Sequence, residues 1–155
     1  MIPVSATPIV IDTNVCLDLF VFRDPRWAEL LGALESGAVK AVTRADCRDE
    51  YLAVLRYPHL PLDEAGRMEA IARFDALLHV VAPDAKHVRL PVCTDRDDQK
   101  FLEIARDAGA SVLITKDKAL LKLGRRTVRE GLFKIMVPEA WLKAHAGGRT
   151  RATLE

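Results

Sequence analysis

Short runs of β-formers alternate with stretches of helical apolar spacing along most of the chain, and few folds accommodate that order. The runs are Ile9 to Ile11, AVKAVT at 38–43, HVVAP at 79–83, SVLIT at 111–115 and LFKIM at 132–136. Between them the spacing predicts helices at 14–22, from Pro25 to a stop near Ser36 and Gly37, through DEYLAVLRY until Pro58, and at 62–78. Further helices are expected in FLEIARDAG, closed by Gly109, in KDKALLKLG, stopped by Gly124, and from Pro138 through PEAWLKAHAG. Thr43 and Asp46 have the spacing of a capping box for the helix after the second strand. Strands that alternate with helices imply an α/β fold: three α/β/α layers around a mostly parallel sheet of about five strands.

The chain of 155 residues fits one domain, expected over 1–146, and its 50% hydrophobic content suffices for a buried core. Residues 147–155, GGRTRATLE, have no apolar periodicity and read as a flexible tail. The balance of 23 basic against 22 acidic residues neither demands nor excludes a nucleic-acid partner. Its distribution is uneven: residues 116–151 hold ten Lys or Arg against three acids. That excess suits either a polyanion or ordinary solvated helix faces. Cys16, Cys47 and Cys93 are odd in number and far apart, so a disulfide framework is not expected and a reduced, cytoplasmic setting is. No charged leader precedes an apolar run, and no stretch approaches the ~20 apolar residues of a membrane span.

Several acids fall where a site would form. Asp12 directly follows the first strand, at the edge where open α/β sheets bind ligands, and is either a helix cap or the first member of a site. Asp117 repeats that placement two residues after SVLIT. Glu50 shares a helix side with Cys47 and Val54, where an ionised carboxylate needs a partner, a proton or a metal. In the loop DRDD, Asp95, Asp97 and Asp98 all suit a helix N-terminus, but Asp98 aligns best with the stripe of Phe101, Leu102 and Ala105. An EF-hand is excluded because the loop lacks the glycine and the final Glu. Gathered at one sheet edge, Asp12, Glu50, Asp98 and Asp117 would repel unless a cation were present, and hard oxygen ligands point to Mg²⁺ or Mn²⁺.

Rival chemistries are poorly supported. His59, His79, His87 and His145 lack zinc-ligand spacing, and there is no nucleophile elbow, P-loop or G-x-G-x-x-G. A haloacid-type phosphatase would need Asp-x-Asp where this chain has Asp12, Thr13 and Asn14. A receiver-like domain would need paired acids at the first strand and a further Asp after the third.

With those residues in place, the chain resembles the PIN-domain family of metal-dependent ribonucleases over about residues 8–142, especially the branch of bacterial toxins paired with antitoxins. The likeness rests on IDTN, on the Glu of RDEYLAVL, on DRDDQKFLEIARDAGASVLITKDKALL, and on the last strand with PEAWL. It implies that Asp12, Glu50, Asp98 and Asp117 hold one or two Mg²⁺ or Mn²⁺ ions and cut single-stranded RNA. In this resemblance Asn14 would orient Asp12, Thr115 would be a supporting polar residue, and Asp95 would assist. Lys116, Lys118, Arg125 and Arg126 would hold the RNA backbone, or else form a solvated face. The resemblance further implies a homodimer, with WAELLGALE as a source of apolar surface, and an antitoxin protein as partner. The alternative is a PIN scaffold without catalysis that binds RNA or protein.

Overall fold

The structure, a computed structural model, describes residues 7–82 and 88–154, with the backbone alone over 147–154. Pro83 of HVVAP, His87, the first six residues and the side chains of Arg149 and Arg151 lie outside that description. Five parallel strands, β1 (Ile9–Ile11), β2 (Ala41–Thr43), β3 (Leu78–Val80), β4 (Val112–Ile114) and β5 (Lys134–Met136), form one sheet in the order β3-β2-β1-β4-β5. The chain leaves the central β1 to build one half of the sheet and returns to β1's other side to build the second. The strand order therefore reverses between β1 and β4, which are paired through Ile9 with Val112, Val10 with Leu113 and Ile11 with Ile114. In such sheets the crevice beyond the carboxyl ends at the reversal is the natural ligand site.

Side chains alternate across each strand, so the sheet builds two cores. Ile9, Ile11, Val112 and Ile114 join one core, while Val10, Val42 and Leu113 join the other. The first is covered by α1 (Thr13–Phe20), α2 (Ala28–Ser36), α4 (Glu64–Leu77) and α8 (Pro138–Leu154). The second is covered chiefly by α5 (Gln99–Asp107) and α6 (Lys118–Leu121), whose Phe101, Leu102, Ile104 and Leu120 are buried. Burying a side chain of this size contributes about 1.5–3 kcal/mol, so the three-residue strands are held by both layers as well as by their ladders. The three-layer α/β/α architecture expected from the sequence is the one observed.

The helix α3 (Ala45–Val54) is fixed by Tyr51, which stacks on Phe74 at 4.3 Å between centroids, meets Phe20 edge-on at 6.4 Å, and donates its hydroxyl to Ala70 O at 2.9 Å. These contacts set the position of Glu50, one residue earlier.

Local details depart from the sequence pattern in four places. Thr43 ends β2, paired with Val80, so its hydroxyl caps nothing; Arg44 is the residue before α3, and no side-chain cap is made there. Gly124 does not stop a helix but opens α7 (Gly124–Arg129), after α6 has lasted one turn. The last helix runs on to Leu154, across the stretch expected to be a tail. Finally, Trp27, Leu30, Ala33 and Leu34 of WAELLGALE are buried within the chain's own core, which leaves that segment little apolar surface to offer a second subunit. The three cysteines are free and buried, and among the described residues no helix is long and apolar enough to cross a membrane.

Candidate active site

Asp12 and Asp117 are both helix caps, and both are more than caps. Asp12 has extended backbone and accepts from Val15 N at 3.0 Å, satisfying one of the N–H groups that open α1. Asp117 does the same for α6, accepting from Ala119 N at 2.7 Å. In Asp117 the capping bond uses one carboxylate oxygen, Oδ1, whereas in Asp12 both oxygens are engaged, Oδ1 by Val15 N and Oδ2 by the Thr115 hydroxyl. Thr115, fully buried, links the two acids: its hydroxyl donates to Asp12 Oδ2 and accepts from Asp117 N at 2.9 Å. Asn14, expected to orient Asp12, is exposed and makes no hydrogen bond with it; Thr115 and Val15 provide the bonds that hold this carboxylate.

Asp98 arrives from the other direction, on a 3₁₀ turn (Arg96–Asp98) capped by Asp95, which accepts from Asp97 N at 3.1 Å. Asp95, the extended residue that caps the turn, and Asp98, its last residue, bring their carboxylates to one side. Together with Asp117 they bring carboxylate oxygens within 4.8 Å of one another. Asp95 is therefore a member of the acid group and not just a neighbour of it. Asp12 stands just behind the group, close enough for its charge to act on Asp98.

The electrostatics follow from that crowding. Burial pushes Asp98 up to about 8, with the hydrogen bond to Asp117 and the charges of Asp117, Asp95 and Asp12 adding to the effect. Asp117 is held below the usual carboxylate range, chiefly by that same hydrogen bond. The two carboxylates oppose each other's ionisation, with Asp98 the one pushed up and Asp117 the one pushed down. Burial also raises Asp12 to about 6, against the lowering effect of the Thr115 and Val15 bonds. Asp98 Oδ2 is buried and has no hydrogen-bond partner. A buried carboxylate oxygen without a partner is costly by about 1–3 kcal/mol, more when charged, unless a cation meets it. The donor set is all carboxylate oxygen, which suits Mg²⁺, Mn²⁺ or Ca²⁺ and not a thiophilic metal. The residues present therefore fit a hard divalent ion.

Glu50 stands apart from the three gathered acids. Lys100 Nζ meets its Oε1 at 2.9 Å and Thr13 Oγ1 donates to its Oε2. Sequence spacing draws no attention to Lys100, since its partner lies fifty positions away. Of the four basic residues expected to hold RNA, two are already engaged: Lys116 with Asp18 and Arg126 with Glu130. None of the ion pairs among the described residues involves Lys118, Lys122, Arg125 or Arg129. Arg125 and Arg129 line a shallow groove with Leu121, Gly124, Val128 and Ile135 on the flank of β5.

Carboxylates thus gather beyond the strand ends, at the reversal point of a three-layer parallel α/β domain. A family model for the PIN domain matches residues 8–119, and the chain belongs to the PIN-domain family. Its fold is of nuclease type, and members of the family are generally nucleases that bind divalent metals. No curated protein matches the chain.

Proposed function

We propose that the protein is a Mg²⁺- or Mn²⁺-dependent endoribonuclease that cuts single-stranded RNA, acting as the toxin of a toxin and antitoxin pair. The observation that carries the nuclease reading is the buried, partnerless Asp98 Oδ2 among the carboxylates of Asp95 and Asp117, at the β1/β4 reversal. Asp95, Asp98 and Asp117 would hold the ion, with Asp12 completing its surroundings. A bound divalent ion lowers the pKa of water and neutralises charge that develops on phosphorus. The reaction adds water across one phosphodiester: a new P–O bond forms to the water oxygen, and the leaving oxygen departs with a proton.

The chain's own residues prepare that step. Asp98 would be a ligand in its deprotonated form, its proton passing to solvent, and Thr115 holds Asp12 and Asp117 in register. Lys118, Lys122, Arg125 and Arg129, which have no acid partner among the described residues, supply positive charge for the RNA backbone, as point contacts that position the strand without reading bases.

The toxin role, the antitoxin partner and a homodimer are proposed from family resemblance, and the cytoplasm from the free cysteines and the absence of a spanning helix among the described residues. Incubation of the purified protein with defined single-stranded RNA, with and without Mn²⁺, tests the activity. Cleavage that needs Mn²⁺ and disappears in Asp12→Asn is the expected result; no cleavage by the intact protein would favour the non-catalytic scaffold. A neighbouring reading frame whose small DNA-binding product blocks cleavage would support the toxin role, and one without effect would count against it.

A further inference from the structure

Two carboxylates that the family pattern treats alike are treated differently in this fold. Asp98 has a buried oxygen with no partner, whereas each oxygen of Glu50 has one: Lys100 Nζ at 2.9 Å on Oε1 and Thr13 Oγ1 on Oε2. Lys100 is itself anchored. Its ammonium donates to Asp97 O at 2.6 Å and lies 5.5 Å from the centre of the Phe101 ring, and its side chain is only 17% exposed. Its two carriers frame the acid group, because Thr13 is next to Asp12 and Lys100 is two residues beyond Asp98.

We propose that Lys100 is a built-in cation that occupies Glu50, so that this chain takes a single divalent ion, at Asp95, Asp98 and Asp117, and Glu50 is a positioning residue instead of a ligand. The inference rests on the metal reading above. Its physical ground is exclusion. A divalent ion that recruited Glu50 would have to break the Lys100 and Thr13 bonds and leave a largely buried ammonium without its anion. It would also bring two cations together, and like charges a few ångströms apart in a partly buried site repel strongly. Asp98 has no cation to displace: the group that meets it is Asp117, another acid of the same cluster. The fold thus offers an ion one under-satisfied carboxylate and withholds another.

Counting Mn²⁺ tests this without reference to activity. Calorimetric titration of the whole chain, checked by the loss of the free-ion electron-resonance signal, is expected to give one ion per wild-type chain. Lys100→Met is expected to take two, Lys100→Arg one, and the double variant Lys100→Met with Glu50→Gln one again. Glu50→Gln alone is expected to change the affinity of the first ion by less than threefold. Two ions on the wild type, or one on a folded Lys100→Met, would overturn the proposal while leaving the metal reading intact. No ion on the wild type would overturn both. Should Lys100→Met not fold, Glu50→Gln decides: a loss of Mn²⁺ affinity beyond tenfold would make Glu50 a ligand and end the proposal.

Discussion

The Asp98 end of the site and the Glu50 end show opposite solutions to burying a carboxylate. At the first, three acids converge and oppose one another's ionisation, with an oxygen left over. At the second, a lysine and a threonine meet both oxygens. A carboxylate already paired with a buried cation is hard to recruit; one whose neighbours are other acids strains the fold and is ready for a ligand. Acidic residues in a family motif are therefore not equivalent simply because they are all acidic.

The sharpest way to break that contrast is to neutralise the strained end. Asp98→Asn and Asp12→Asn are expected to lower RNA cleavage by about a hundredfold or more, since a metal site that loses a carboxylate loses the activation of its water. Their stabilities should differ. Without metal, Asp98→Asn should melt at or above the wild-type temperature because repulsion is relieved. Asp12→Asn should melt lower, by the equivalent of about 1 kcal/mol, because it disturbs the Thr115 bond. Equal and large destabilisation with activity retained would make both residues mere caps.

Acidity should expose the same strain. With a chelator present, Asp98 and Asp12 keep in the folded state protons that the unfolded chain releases near its ordinary value of 3.8, so their contribution to stability is full below that value. It is lost as pH rises through about 6 for Asp12 and about 8 for Asp98. Asp117 has the opposite sign, but its contribution is lost only as pH falls below the usual carboxylate range. Melting temperature in chelator should therefore decline between pH 4 and 8, and the upper part of the decline should vanish in Asp98→Asn. A flat profile would remove the claim that Asp98 is strained.

Smaller effects are expected on the basic flank. Replacing Arg125 and Arg129 together by Ala should flatten the dependence of RNA affinity on salt by about 1.4 in the log–log slope, measured in Ca²⁺ so that cleavage does not interfere. Replacing Lys116 and Arg126, already paired with Asp18 and Glu130, should change it less. The reverse order would show that the ion pairs open for RNA and that the groove does not hold it.

Much of the architecture was legible because each three-residue strand sits inside a longer β-forming run and each acid that follows a strand stands within two residues of its end. Asp12 and Asp117 could be placed on that ground alone. What could not be read locally was anything decided by a partner far along the chain or by a non-α turn. The pairing of Glu50 with Lys100 spans fifty residues, and the membership of Asp95 depends on how the residue that caps the Arg96–Asp98 turn meets Asp117, which lies on a distant segment. Thr43 has the spacing of a cap, but the ladder to β3 claims its backbone and buries it. Gly124 has the place of a helix stop, but glycine ends helices when its φ is positive, and here it does not adopt that conformation.

The most direct test of the metal centre is the proton count on Mn²⁺ binding at pH 7, obtained by repeating the titration in buffers of different ionisation enthalpy. An ion that takes the place of the proton on Asp98 should release about one proton per ion, since metal ligation requires the deprotonated carboxylate and Asp98 is still mostly protonated there. Asp98→Asn should bind more weakly and release close to none. Tight binding by the wild type with no proton released, or no binding at all, would contradict the assignment of Asp98 as the residue that waits for the ion.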